Sequence, residues 1–309
     1  MIAEATSDLP AMVPSRLAAA LVQSEIRRMS VECDRVGGIN MSQGICDMPI
    51  PEPVRRGAQE AIDSGVNHYT RYDGIEELRV AIAEKMAAFN GVRVDPETEV
   101  VVSAGSTGAF HSACLALFEK GDEVLLFEPY YSYHATTIHA AGAVPVFVPL
   151  SPPDWSFDED AVRRAITPRT RAIVINTPVN PAGKVFTREE LERLAEIAVR
   201  NDLFVFTDEI YEYFVFDGRR HVSPGSLPAL ADRTITISGY SKTFSITGWR
   251  IGYSVGRSHW LKAIGHVSDA IYVCAPAPLQ AGVARGIREL PASFYDHLRD
   301  VYREKRDRF

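Results

Sequence analysis

The chain has 309 residues, 46% of them hydrophobic, with a formal charge of −7 and a pI near 5.7. That is enough for one large core or two unequal ones, and the acidic balance argues against nucleic acid or an anionic membrane as the main partner. The four cysteines (Cys33, Cys46, Cys114, Cys274) show neither C-x-x-C nor Cys/His ligand spacing, so neither a disulfide framework nor zinc is indicated, and a reducing cytosol fits.

The N-terminal stretch carries Glu4 and Asp8 where a signal peptide would be basic. Its longest apolar run, Leu17 to Val22, is too short for a membrane span. A cytoplasmic protein that binds small molecules is the expectation. Seven runs then read as buried strands: Val100 to Ser103, Glu123 to Glu128, Val144 to Pro149, Ala172 to Asn176, Phe204 to Asp208, Thr234 to Ser238 and Ile251 to Val255. Helical patterns lie between most of them, among them Gly108 to Phe118, Tyr133 to Ala141 and Arg188 to Asn201. This alternation predicts an α/β fold with a mainly parallel sheet covered on both faces, in which ligands collect at the carboxyl ends of the strands.

Four of those ends carry chemistry. After the first strand, AGSTGAF sets Gly105, Ser106 and Thr107 at the start of a helix, where free backbone N–H groups and the dipole suit a phosphate. Ala104 breaks the hydrolase pattern G-x-S-x-G, and an ordinary strand-to-helix turn is an equally good reading of this piece alone. NTPVNPAG, with Asn180, follows the fourth strand and by itself reads as a proline-rich turn. TDEIYEYF ends the fifth strand and puts Asp208 near Tyr211; an aspartate after so apolar a run needs a cation or a protonated heterocycle, unless it caps a helix. Lys242 follows the sixth strand, set among hydroxyls and ahead of Arg250 in SGYSKTFSITGWRIGY. A lysine able to form a Schiff base, an acid for a ring nitrogen, phosphate donors, and an amide and a phenol for a ring hydroxyl are together the requirements of pyridoxal phosphate. The eight histidines offer no metal site, since His134 and His139 are five apart and fit one helix face poorly.

SKTFSITGWRIGY, NTPVNPAGKVF, TDEIYEYF and HYTRYDGIEELR make the chain resemble, from about Met41 onward, the class I and II aminotransferase family of fold type I pyridoxal-phosphate enzymes. The resemblance implies a seven-stranded sheet in a large domain over residues 41–290, an N-terminal segment over 1–40 belonging to a small domain, and over 291–309 the start of a helix linking to the rest of that small domain. It makes Lys242 the Schiff-base lysine and proton carrier, through an aldimine, and Asp208 the partner of the pyridinium nitrogen. Asn180 and Tyr211 match donors to the cofactor O3′, and Tyr131 in EPYYSYH matches the aromatic that stacks on the ring. Gly105, Ser106, Thr107, Arg250 and Ser241 fall to the phosphate. Tyr69 matches a tyrosine reaching the neighbouring subunit's phosphate, which implies a homodimer, and Gly44 in SQGICDMPIP matches the glycine beside the substrate carboxylate.

Three departures from the family stand out. Gly239 occupies the third position before the lysine, where many relatives have a phosphate-binding serine, leaving Ser238 or Ser241 to supply that hydroxyl. Cys46 replaces a proline common in the loop at the substrate entrance. The chain stops at YREKRDRF, where relatives begin the helix into a small domain that carries the arginine clamping the substrate carboxylate. Arg303, Arg306 and Arg308 read as a solvated helix face, which leaves Arg16 or Arg35 as other cations for that carboxylate. Without that domain, part of an apolar stripe through Phe294, Leu298, Val301 and Tyr302, and of Leu17 to Ile26, is expected to be exposed. The resemblance thus implies an aminotransferase acting on an amino acid and a 2-oxo acid. A non-catalytic cofactor-binding remnant and a lyase or decarboxylase on the same fold stay open. SQG resembles the branch with kynurenine, glutamine and methionine aminotransferases.

Overall fold

The structure is a computed structural model, and it describes residues 13–15, 18 and 24–309. Arg16 lies outside the described residues, as do residues 17 and 19–23 of the apolar stretch. Contacts divide the chain into two units, Met1–Gly44 and Ile45–Phe309. The first contains helix α1 (Glu25–Arg35), none of whose residues is buried. Its Glu25 begins the first turn and its Arg35 ends the last, each complementing the helix dipole. Arg35 also bonds Glu32 at 2.9 Å.

The second unit is built on one mixed sheet: β1 (Val100–Ala104), β2 (Glu123–Glu128), β3 (Val144–Ser151), β4 (Ser156–Phe157), β5 (Thr170–Asn176), β6 (Phe204–Asp208), β7 (Thr234–Gly239) and β8 (Ile251–Val255). The order across it is β1-β8-β7-β6-β5-β2-β3-β4. Strands β7, β6, β5, β2 and β3 run parallel, while β8 is antiparallel to both its neighbours and β4 to β3. All seven expected strands are present. The eighth, β4, is two residues long, too short to leave a periodicity in the sequence.

Helices pack on both faces: α2 (Glu52–Asp63), α3 (Glu76–Lys85), α4 (Gly105–Leu117), α5 (Ser132–Ala140), α6 (Glu159–Ala165), α7 (Arg188–Arg200), α8 (Ser258–Tyr272), α9 (Ala277–Glu289) and α10 (Ala292–Arg308). Alternate strand residues serve opposite layers, as a two-residue repeat requires. Leu125, Phe127, Ile173 and Ile175 pack with Leu191, Leu194 and Ile197 of α7, while Val124, Leu126, Val174 and Phe206 pack with Phe110 and Ala113 of α4 and Leu261 of α8. Each such side chain is worth about 1.5–3 kcal/mol of burial. That double coverage explains why the strands read as unbroken apolar runs. Local signals fix the helix starts: Thr187 and Glu190 exchange hydrogen bonds as a capping box at the head of α7. Among the described residues no helix is long and apolar enough to cross a membrane.

In α10, Phe294 and Tyr295 pack against the core around β1 and β8, and Leu298 is buried. Val301 and Tyr302 are half-buried. The arginines beyond them are taken by carboxylates: Arg303 by Asp300 at 3.3 Å, Arg306 by Asp217 at 2.6 Å, and Arg308 by Glu304.

Candidate active site

Helix α4 begins directly at the end of β1, three residues earlier than the sequence pattern suggested, because Gly105 turns the chain with a φ of +77°. No side chain caps its first turn, so the leading N–H groups point outward without a side-chain acceptor. Strand β8 presses on this turn: a Cβ at Gly252 would lie 2.9 Å from Gly105 Cα and closer still to the Ser106 nitrogen. Just before β8, Arg250 takes a left-handed φ of +57° and donates from one guanidinium nitrogen to the Thr247 carbonyl at 2.9 Å. Its guanidinium lies across Gly105, where a Cβ would sit 2.6 Å from Cζ. Among the described residues no carboxylate pairs with Arg250. A cation laid over the positive end of a helix is unfavourable by itself and becomes favourable when an anion joins them.

The residues expected at the ring lie at neighbouring strand ends. Asp208 closes β6 and is buried, with Oδ2 2.9 Å from His134 Nε2 and Oδ1 accepting from the Ile210 N–H at 3.2 Å. A turn rather than a helix follows it, so the aspartate caps no helix. Its carbonyl accepts from the Thr177 N–H and from Asn176 Nδ2, each at 3.0 Å, which ties the end of β6 to that of β5. Asn180 hangs from the same loop: its N–H donates to Asn176 Oδ1 at 2.8 Å, and its Nδ2 stands 3.5 Å from the Tyr211 hydroxyl. Burial, then the charge of Asp208, pushes the Tyr211 phenol well above the usual tyrosine range, so it stays protonated and able to donate. Lys242 follows β7 in a turn closed by Phe244 N–H on the Tyr240 carbonyl at 2.9 Å. It is half-buried, with its ammonium 5.8 Å from the Tyr211 ring centre and no ion pair among the described residues.

Ser106, Thr107, Tyr131, His134 and Asp208 line one pocket, so the helix start and the buried carboxylate open onto the same space. Tyr131 stacks on Tyr133 at 5.2 Å and meets His134 edge-on at 5.4 Å. Of the two serines considered for a missing hydroxyl, Ser238 donates to the Glu209 carbonyl at 3.3 Å, whereas Ser241 is simply buried. Gly239 sits where β7 and β8 approach closely, since a Cβ would lie 2.9 Å from the Ile251 carbonyl oxygen. Tyr69 is 84% exposed. Gly44, the last residue of the first unit, is exposed. Cys46 lies close enough to Tyr302 to help raise its phenol, after burial, and Asp47 beside it pairs with Lys305 of α10.

Sequence reasoning missed His134. It was weighed only as a metal ligand with His139, and its contact with Asp208 spans 74 positions of the chain. Those residues suit pyridoxal phosphate: an uncapped helix start with an unpaired arginine for the phosphate, and a buried carboxylate facing the pocket for the ring nitrogen.

The sequence pattern of the family described as Aminotransferase class I and II matches residues 36–309. A probable N-succinyldiaminopimelate aminotransferase of Mycobacterium tuberculosis is 43% identical over 282 residues, covering 91% of this chain and 71% of that protein. Kynurenine–oxoglutarate transaminase 3 of Rattus norvegicus is 36% identical over 289 residues, covering 87% of this chain and 63% of its own length. Among solved structures, the N-succinyldiaminopimelate aminotransferase from Mycobacterium tuberculosis superposes with a TM-score of 0.92 at 41% identity, covering 96% of this chain and 77% of that one.

Proposed function

The chain belongs to the class I and II aminotransferase family, and from that membership we propose that it moves an amino group between an amino acid and a 2-oxo acid with pyridoxal phosphate held at Lys242. The observation that carries the reading is Arg250 laid over the uncapped start of α4 with no carboxylate partner among the described residues, which calls for a phosphate. Arg250 can give two parallel bonds to phosphate oxygens, and Ser106 and Thr107 add hydroxyls at the helix start. Ser241 is assigned to the same group.

When bound, pyridoxal phosphate would supply an electron sink for the pair left as a substrate Cα loses its proton. Asp208 keeps the ring nitrogen protonated, and His134 holds the carboxylate oriented toward it. Asn180 and Tyr211 donate to the ring hydroxyl, and the raised phenol keeps Tyr211 a donor at neutral pH. Tyr131 covers one ring face. Lys242 would hold the cofactor by its carbonyl carbon, and the same amine, when free, would carry a proton at the substrate Cα. The exposure of Tyr69 suits a residue that completes the site of a second copy.

Borohydride reduction of protein loaded with pyridoxal phosphate, followed by peptide mass mapping, should place a pyridoxyl group on Lys242. A label on another lysine, or none, refutes the assignment.

A further inference from the structure

The segment from Asp208 to Glu212 presents its side chains to two different places. Asp208 lines the pocket and Tyr211 stands beside Asn180 and Lys242, whereas Glu209 and Glu212 are 0% and 2% exposed and enter a buried polar chamber. All four of their carboxylate oxygens are occupied there. Glu209 Oε1 accepts from Ser223 Oγ at 2.8 Å and Thr207 Oγ1 at 3.1 Å, and its Oε2 meets His221 Nε2 at 2.6 Å and Asn90 Nδ2 at 3.1 Å. Glu212 takes the Lys85 ammonium on Oε1 and Asn90 Nδ2 on Oε2 at 2.8 Å. Lys85 is further fixed by the Tyr253 hydroxyl at 3.2 Å. Lys85 ends α3, and Asn90 ends the π-helical turn Met86–Asn90 that continues it. Turns of that kind recur at functional sites.

Glu209, Glu212 and His221 bring ligand atoms within 4.8 Å of one another, as a metal site would. The Lys85 ammonium and the neighbouring donors already serve these carboxylates, so each of their oxygens has a partner within the chain. Two buried carboxylates are an expensive way to stabilise a fold, since apolar residues of similar volume often do as well or better. What they provide is position. Residues 209–213 form neither helix nor strand, so regular hydrogen bonding does not by itself fix where Asp208 and Tyr211 point.

We propose that Lys85, Asn90 and His221 are positioning residues for the cofactor ring: by gripping Glu209 and Glu212 from behind, they set the Asp208 carboxylate and the Tyr211 phenol at the pocket. This rests on the reading of the pocket as a pyridoxal-phosphate site.

The test compares His221→Leu, its conservative counterpart His221→Gln, and Asn90→Ala, which removes no charge and decides the matter if His221→Leu does not fold. The probe is 4-deoxypyridoxine 5′-phosphate, which lacks the carbonyl and so does not depend on Lys242. His221→Leu and Asn90→Ala should each weaken its binding about tenfold, the scale on which supporting partners act. They should also move the pH midpoint of the visible band of pyridoxal-phosphate-loaded protein, because the ring feels a displaced carboxylate and phenol. His221→Gln, which keeps an N–H toward Glu209, should return both toward wild type. Lowered melting temperatures with unchanged probe affinity and midpoint would overturn the proposal and leave the chamber a stabilising device only. Wild-type protein that binds the probe yet gives no borohydride label on Lys242 would refute the functional reading, while the probe affinities would still decide the positioning.

Discussion

Around Gly105 and Gly252 two stretches of backbone lie in contact with no side chain between them, whereas Asp208, Tyr211, Asn180 and Lys242 meet only through side chains delivered by three separate strand ends. The first region is fixed by what is missing, two Cβ atoms, and its donors are main-chain N–H groups. The second is fixed by side-chain partners, several of them remote in sequence: His134 on Asp208, Asn176 four residues before Asn180, and Lys85 and Asn90 on the buried glutamates of the turn that carries Asp208 and Tyr211. A site made this way has one end that grips and one end that is tuned. The two should fail differently.

The largest difference is expected in turnover. On the proposed reading Asp208→Ala removes the charge that would keep the ring nitrogen protonated, and should lower kcat about a thousandfold, the scale for losing a preorganised electrostatic group, while changing the pyridoxal-phosphate dissociation constant far less. A variant with near wild-type kcat would erase the distinction, leaving Asp208 as a structural anchor for His134 and the Ile210 N–H.

Gly105→Ala should do the reverse. Its methyl would push the Arg250 guanidinium off the helix start and would also strain a backbone at φ +77°. Losing a charge-assisted bond of about 2 kcal/mol corresponds to about thirtyfold weaker cofactor binding, with kcat at saturating pyridoxal phosphate retained. Equilibrium binding and saturation kinetics on the same preparation separate the two outcomes. If kcat falls along with affinity, the ends are not independent.

The smallest effect concerns acid stability. Burial pushes the Glu209 carboxyl up, but the His221 charge and hydrogen bond, Ser223 and Lys85 outweigh it and hold the group below its ordinary value. A carboxyl depressed in the folded state contributes stability above its unfolded pKa of about 4.3, and this contribution is lost as pH falls through the folded pKa. Thr207, Asn90 and Glu212 face the same carboxylate. Melting temperature measured against pH should therefore drop less steeply below about pH 4.3 in Glu209→Gln than in wild type. Parallel profiles would show that the chamber contributes no such ionic dependence.

Much of this architecture was legible in the sequence because the determining signals are local. Seven strands announce themselves as apolar runs, and glycine followed by two hydroxyl residues after a strand marks the start of α4, although the helix begins at Gly105 and not three residues later. Lys242, Asp208, Asn180 and Arg250 could be named because each stands at or near a strand end: Lys242 and Asn180 after one, Asp208 closing one and Arg250 leading into one. The supporting residues could not. His134 looks like any helical histidine until α5 is laid beside β6, and Lys85 and Asn90 are more than a hundred residues from the glutamates they hold. Nothing in TDEIYEYF tells which of its acids is buried against an ion and which faces a ligand. The choice of Gly239 over serine is equally opaque until β7 and β8 are seen to touch there.

The placement of β8 also bears on how the protein is made. Strand β1 ends at Ala104, and its one neighbour in the sheet, β8, begins at Ile251. At ribosomal rates of roughly 5–20 residues per second, β1 leaves the exit tunnel and waits on the order of ten seconds for a partner. Through that interval β2, β3, β5, β6 and β7 can assemble among themselves, and the loop bearing Gly105 has neither Arg250 nor Gly252 to shape it. Nascent chains therefore carry an unpaired apolar strand through a long part of their synthesis, and the proposed phosphate cradle is completed only with the last strand of the sheet.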